Sequence, residues 1–375
     1  MNPLVDYRFV TLSQYHTLQP VLVPGGSLFI KAGARGFADP QYQLLAHKLE
    51  PHGSQALDLN PGVGLVTQAL HSAGMKVAAI ETSRAALRCL ERSFGPEVEV
   101  RRGLPWEREP ESADLVALVL PANRGTRYVE MTLLAAARAL RTGGRLWISG
   151  SKDKGFEHYF KLAQEMLGFG FLVERQGPVR VAVLEKERSA PPLPQVWEEF
   201  EAEIFGRAYR FRYLPGVFSA GHLDAGTRML LEQLPIELGK VLDLGAGYGA
   251  SSLPLADRAT HLTLLEDDWV SVQSARAGFQ ANGLSATIQH SDVDEGLQDG
   301  QKFATIISNP PFHVGGLVVL ETARAFLAAA AARLERGGRF YLVANRFLPY
   351  EPLLAEGFAE VHTLAVASYK VILAQ

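Results

Sequence analysis

Val241-Leu-Asp-Leu-Gly-Ala-Gly-Tyr-Gly-Ala-Ser-Ser252 passes from an apolar run through a glycine-rich turn into a predicted helix, and Asp58-Leu-Asn-Pro-Gly-Val-Gly64 opens the same passage earlier in the chain. The two aspartates are offset by 185 residues (243 − 58). The pairs Glu81/Glu266 and Asp39/Asp224 keep that offset. Further on, Ala137–Ser149 parallels Ala331–Val343, each with a Gly-Gly turn leading into an apolar run, at an offset of 194 (331 − 137). One spacing held over three separate elements reads as two copies of one fold.

Within each copy, short β-rich runs alternate with helical ones. In the second copy the predicted strands are Lys240–Leu244, Leu262–Glu266, Ala286–His290, Ala304–Ser308 and Gly338–Ala344, with a closing pair near Glu360–Ala365 and Tyr369–Leu373. Helical patterns such as Val270–Asn282 and Leu317–Leu334 lie between them. Strands alternating with such helices predict an α/β protein, here two tandem doubly wound, Rossmann-like domains with mostly parallel sheets. The closing pair has no helix between its members, so the second domain is expected to end in a hairpin with an antiparallel strand. The segment Glu185–Pro194 is charged and then proline-rich, which favours an extended linker. The predicted organisation is therefore a first domain over 1–187, a linker over 188–195 and a second domain over 196–375.

Composition bounds the class. A chain of 375 residues with 47% hydrophobic and 21% charged residues suits two globular domains. No uninterrupted apolar stretch is long enough to span a bilayer, and the N-terminus lacks a secretory pattern, so no membrane association and a cytoplasmic location are expected. Cys89 is the one cysteine and the histidines show no ligand spacing, so no disulfide and no metal site are expected. The net charge is −3, but residues 1–187 hold 22 Lys/Arg against 19 Asp/Glu, or +3, leaving −6 for the remainder. Arginines gather at Arg84, Arg88 and Arg92, at Arg101 and Arg102, and at Arg124 and Arg127. They suit either solvated helix faces or phosphate contact.

The turn at Gly245, Ala246, Gly247 and Gly249 lets a backbone approach a ligand closely. It satisfies a dinucleotide fingerprint loosely and an S-adenosylmethionine loop well. Asp243, at the strand end, is placed to hold a charged amino-acid tail through neighbouring backbone and water. Glu266 ends the next strand, where it would accept ribose hydroxyls in either reading, with Asp267 beside it. Asp292, with Val293, follows the third strand and is placed to accept from an adenine amino group.

The most specific signal is Ile306-Ile-Ser-Asn-Pro-Pro-Phe-His313. Two prolines restrict the turn after the fourth strand and present Asn309 and the Pro310 carbonyl at the sheet edge where ligands bind in such folds. An aromatic amine is a poor nucleophile because its lone pair is delocalised into the ring. Acceptors on both of its N–H groups favour a pyramidal nitrogen with an available pair. Pro311 fixes the turn, Phe312 would stack on the base and His313 would orient it. Phe218 is a candidate lid. Asp224 and Thr227 begin the helix before the first strand, Asp224 either as a helix cap or as part of the site and Thr227 as a candidate cofactor contact. Arg346 and Phe347, after a strand at the same edge, are candidate RNA contacts.

Asn-Pro-Pro-Phe after Asp-Leu-Gly-Ala-Gly-Tyr-Gly resembles the nitrogen-methylating class I S-adenosylmethionine-dependent methyltransferases. Leu214-Pro-Gly-Val-Phe-Ser219, Leu223-Asp224 and Val343-Ala-Asn-Arg-Phe-Leu-Pro-Tyr350 narrow the resemblance to the bacterial small-subunit ribosomal RNA guanine-N2 methyltransferase family and its large-subunit relative. The match is dense over 209–375 and thin before 191. The resemblance implies S-adenosylmethionine as cofactor, N2 methylation of a guanine in 16S rRNA, and ribosomal RNA or the small subunit as partner. It also implies an N-terminal copy that has lost catalysis; a monomer is expected. Large-subunit guanine-N2 methylation, protein-glutamine N5 methylation and a non-catalytic binding role are the alternatives.

The first copy departs from the active pattern. Asn60-Pro61 replaces the start of the glycine loop, and Leu120-Pro-Ala-Asn-Arg124 stands at the position of Asn-Pro-Pro-Phe, with no acceptor followed by a stacking aromatic. No methyl transfer is expected there; RNA docking or support of folding are the two roles left to it. Cytosine-C5 chemistry needs a nucleophilic cysteine beside the base, and Cys89 falls in the first copy instead.

Overall fold

The computed structural model describes residues 11–310 and 317–375. Pro311, Phe312 and His313, named above as site residues, lie outside the described residues. The chain divides into two compact units, Leu18–Trp197 and Glu198–Gln375. Residues 11–17, placed with the first domain by chain position, group with the second unit instead. They contain helix α1 (Leu12–His16).

The first unit opens with the hairpin β1 (Gln19–Val23) and β2 (Gly26–Ile30). There follow α2 (Pro40–Lys48), β3 (Gln55–Leu59), α3 (Leu65–Ser72), β4 (Lys76–Glu81), α4 (Arg84–Phe94), β5 (Glu99–Arg102) and β6 (Ala113–Val119). The unit closes with α5 (Thr126–Ala139), β7 (Leu140–Ser151), α6 (Phe156–Leu167), β8 (Gly170–Gln176) and β9 (Val179–Glu185). Its seven-stranded sheet has the order β5-β4-β3-β6-β7-β9-β8, parallel except where β9 meets its neighbours. Successive strand residues serve opposite faces: Leu57, Val116 and Leu118 join one core cluster, and Ala56, Leu115 and Ala117 the other. Both faces are covered, so the strands are apolar throughout rather than alternating.

The second unit begins with the hairpin β10 (Glu198–Ile204) and β11 (Arg207–Tyr213), then α7 (Ala225–Glu232), β12 (Gly239–Leu244), β13 (Ala259–Glu266), α8 (Trp269–Ala281) and β14 (Thr287–His290). It continues through β15 (Phe303–Ser308), α9 (Leu317–Arg333), β16 (Leu334–Asn345), α10 (Tyr350–Ala355), β17 (Val361–Val366) and β18 (Tyr369–Ala374). The order β14-β13-β12-β15-β16-β18-β17 repeats that of the first unit, with β18 antiparallel to both β16 and β17. Both units are thus doubly wound α/β sheets, as the sequence predicts.

One local expectation needs correction. The glycine loop after β12 does not lead into an α-helix; a single 3-10 turn, Leu253–Leu255, follows. Pro254 lacks an N–H and disfavours helical backbone at the residue before it, so the turn does not propagate. The β10–β11 hairpin went unpredicted, although Phe200, Ala202 and Ile204 alternate with glutamates and Phe205-Gly206 makes a positive-φ turn. No helix among the described residues is long and apolar enough to cross a membrane.

Candidate active site

In the second sheet the chain runs outward from β12 to β13 and β14 on one side and to β15 and β16 on the other. The strand order therefore reverses between β12 and β15, and the crevice beyond their C-terminal ends is where a ligand fits in such a sheet. Asp243 and Leu244 end β12, Ser308 ends β15, and Ser308 Oγ donates to the Leu244 carbonyl at 2.6 Å, tying the two strand ends together.

The glycine loop hangs on β13. Gly245 and Ala246 donate their N–H groups to the Leu265 carbonyl at 2.9 and 3.0 Å. Gly245 has φ +77°, and a Cβ there would lie 2.6 Å from the Phe326 ring, so both backbone conformation and space call for glycine. At Gly247 a Cβ would meet no atom within 4 Å; the loop backbone borders open space there.

The carboxylates hold the loop from below. Asp243, 1% exposed, accepts from Ser252 Oγ at 2.6 Å. Burial pushes its carboxyl up to about 7, and the Ser252 bond only partly offsets this. Glu266 accepts from the Gly247 N–H at 2.7 Å and the Asp268 N–H at 2.9 Å. Burial raises it to about 8 against the pull of those two bonds. Each Glu266 oxygen takes one of these N–H groups and retains lone-pair capacity, as a diol acceptor requires. Asp267 is half-buried beside it. Asp292 is 1% exposed just after β14, and Val293 beside it is buried with φ +53°. Together these residues fit a ligand with a cationic amino-acid tail, a ribose diol and an aminopurine.

Asn309 follows β15. Its Nδ2 lies 3.3 Å from Thr227 Oγ1 and 3.5 Å from Asp224 Oδ2, while the same Asp224 oxygen caps α7 by accepting from the Thr227 N–H at 3.1 Å. An ionised carboxylate only accepts, so it assigns the nitrogen of the Asn309 amide to its own side. Among the described residues Oδ1 makes no hydrogen bond. Asp224 thus caps α7, and Asp224 and Thr227 both face the Asn309 amide nitrogen. Pro310 is buried next to Asn309. Phe218 is 55% exposed, and Arg346 and Phe347 are exposed after β16 with the guanidinium 4.5 Å from the ring centroid.

The first unit carries the same frame. Thr67 Oγ1 donates to Asp58 at 2.7 Å as Ser252 does to Asp243, and Gly62 donates to Glu81 at 2.9 Å as Gly247 does to Glu266. Each pair sits at the 185-residue offset (252 − 67; 247 − 62). Hydroxyls at that offset were the signal in sequence that would have found Ser252. Asp58 is likewise pushed up to about 7 by burial.

What differs is the crevice. Asn60, at the Gly245 position, adopts φ +67°, which asparagine tolerates, and its Nδ2 donates to the Val119 carbonyl at 2.9 Å. Strand pairing equates Asp58–Ala117 with Asp243–Ile307, so Val119 occupies the place of Asn309. This corrects the sequence reading, which put Leu120 there. The Asn60 side chain thereby crosses from β3 to β6. The cavity that remains, lined by Asn60, Glu81, Thr82, Pro105 and Tyr128, is about 10 Å³, room for a single water. Arg124, a candidate phosphate contact, donates to Thr82 Oγ1 at 2.9 Å and lies 4.1 Å from the Tyr128 ring centroid, so it is engaged inside the unit. Cys89 is buried in α4.

Residues 208–373 match the family model described as the methyltransferase small domain. The ribosomal RNA small subunit methyltransferase C of Shewanella piezotolerans is 36% identical over 237 residues, spanning 61% of this chain and 68% of its own length. The protein of the same name from Pseudomonas aeruginosa is 34% identical over 257 residues, 66% of this chain and 74% of its own. A solved structure described as "T. Thermophilus 16S rRNA N2 G1207 methyltransferase", in complex with AdoMet and guanosine, is 53% identical. It covers 98% of this chain and 100% of its own with a TM-score of 0.93.

Proposed function

The chain belongs to the ribosomal RNA small subunit methyltransferase C family, and from that premise we infer how its own residues carry the reaction. It is an enzyme that transfers a methyl group from S-adenosylmethionine to the exocyclic N2 of a guanine in 16S rRNA. We propose the guanine equivalent to G1207 as its target, the nucleotide named for the T. thermophilus relative.

S-adenosylmethionine supplies an activated methyl on a sulfonium, so the protein's task is positioning and charge management. In our reading Gly245, Ala246, Gly247 and Gly249 shape the loop that receives it. Asp243 anchors that loop through Ser252, Glu266 accepts the ribose hydroxyls with Asp267 beside it, and Asp292 with Val293 borders the adenine. Asn309 Oδ1 and the Pro310 carbonyl each accept one N–H of the guanine amine, leaving its nitrogen pair directed away from the ring plane. After transfer the methylated amine loses its extra proton to solvent, so no general base is needed. We assign stacking on the base to Phe312 and contact with RNA to His313, Arg346 and Phe347. Phe218 covers the site.

The observation that carries this reading is the fixed Asn309 amide: its donor end is assigned to Asp224 and Thr227, leaving an acceptor for an amine. The first unit, with its crevice closed by Asn60, serves RNA docking. Arg101 and Arg102 support this, being exposed on the edge strand β5. We further infer that the enzyme is cytoplasmic and acts as a monomer.

Transfer of tritiated methyl to purified small ribosomal subunits and to deproteinised 16S rRNA tests the assignment. The wild type should form N2-methylguanosine in one of them. Asn309→Ala should lose at least about a hundredfold in rate, as removal of a pre-organised polar group at a transition state does, with cofactor affinity nearly unchanged. Incorporation undiminished in Asn309→Ala would refute the role given to this residue.

A further inference from the structure

Helix α1 is only five residues long, far below the length at which a helix stands alone in water, and no glycine loop or proline turn marks it in the sequence. A capping box between Thr11 and Gln14 closes its start, and it packs against α9. What it brings there is specific. Tyr15 is 2% exposed and hydrogen-bonds Thr322 and Asp292. His16 Nδ1 lies 3.6 Å from Asp292 Oδ2, and His16 Nε2 lies 3.0 Å from Asp294 Oδ1. Arg333 of α9 completes the group, with Nε 2.9 Å from Asp294 Oδ2. His16 and Asp294 are separated by 278 residues of chain.

A carboxylate as buried as Asp292 needs donors to stay ionised. Tyr15 is one: burial first, then the Asp292 and Asp267 charges, push its phenol far above the usual range, so it keeps its proton. His16 is the second: burial pulls it down, but its bonds to Asp292 and Asp294 outweigh that and raise it. A carboxylate offers about four lone-pair sites. An ionised Asp292 can only accept. It would favour an amino group over a carbonyl at the purine 6-position, whereas a protonated one could satisfy both.

We propose that α1 belongs to the cofactor site, with Tyr15 and His16 as positioning residues that hold Asp292 as an oriented acceptor and so set selectivity for adenine over a 6-oxopurine. The proposal rests on the assignment of Asp292 to the adenine amino group.

Calorimetric titration with S-adenosylhomocysteine and with its 6-oxo analogue, S-inosylhomocysteine, tests it on the full chain without turnover. The wild type should favour the adenine ligand. His16→Ala and Tyr15→Phe, the latter keeping the buried ring, should each weaken that ligand about five- to tenfold, the loss of one charge-assisted hydrogen bond. Binding of the 6-oxo ligand should change little, so the preference shrinks. His16→Gln, which retains a donor, should restore part of it. Equal loss for both ligands would mean that α1 merely props the fold, and tighter binding after its substitution would make it a plug; either overturns the proposal. Asp292→Asn is the separate control. If that variant keeps the wild-type preference, the assignment of Asp292 itself fails.

Discussion

Replacing Asp224 separates two jobs that one carboxylate performs. It caps α7 by accepting from the Thr227 N–H at 3.1 Å, and it faces the Asn309 amide nitrogen at 3.5 Å. Asp224→Ala removes both. Loss of an N-cap costs about 1 kcal/mol, and loss of a hydrogen bond to a charged group costs about 1.5–3 kcal/mol. The 3.5 Å contact is long, so the lower figure applies, a little over tenfold in rate. Asp224→Ser does something different. Serine caps a helix as well as aspartate, so stability should hold. Its hydroxyl is uncharged and sits on a shorter side chain, so it no longer holds the Asn309 amide nitrogen. The serine variant should therefore keep the wild-type stability and share the activity loss of the alanine variant. Urea denaturation and single-turnover methyl transfer to small subunits read the two scales. If activity merely follows stability across the three proteins, orientation of Asn309 by Asp224 is wrong.

Two predictions concern the first unit. Asp58 is pushed up to about 7 by burial, while an unfolded aspartate titrates near 4. The folded state thus holds the extra proton between about pH 4 and 7, and stability falls as pH rises through that window. Asp58→Asn, which can still accept from Thr67, should gain stability relative to wild type on going from pH 4.5 to 8, by up to about 3 kcal/mol; a pH-independent difference in denaturation midpoint would contradict this. Asn60→Gly removes the Asn60–Val119 bond at 2.9 Å, worth about 0.5–1.5 kcal/mol. It should lower the melting temperature by a few degrees and, placed in the Asn309→Ala background, add no methyl transfer.

The architecture was legible because the turn residues and the apolar runs repeat at a fixed spacing, and the same repeat exposed the defects at Asn60 and after β6. The error of one residue at Val119 arose because apolar runs carry no internal mark of register; only strand pairing supplies it. Pro254 marks the 3-10 turn after the second glycine loop, whereas the corresponding segment of the first copy has no proline and forms α3. Tyr15 and His16 were not readable at all. Their partners lie in another element almost three hundred residues away, and no local pattern encodes such a contact. Asp224 looked like a cap and is one; its second partner, Asn309, is equally remote in sequence.

The hydroxyl–carboxylate and amide–carboxylate bonds shared by the two glycine loops supply an internal reference experiment. In the second unit, substituting Asp243 or Glu266 would disturb the loop and the ligand together, and one measurement cannot apportion the loss. Asp58 and Glu81 hold a matching loop beside a crevice of about 10 Å³ that admits no nucleoside. The penalty for the same substitution there is purely architectural. Subtracting it, in the same polypeptide and the same buffer, leaves the part of the Asp243 or Glu266 effect that belongs to ligand recognition. A duplicated domain that has stopped working becomes the standard against which its working twin is calibrated.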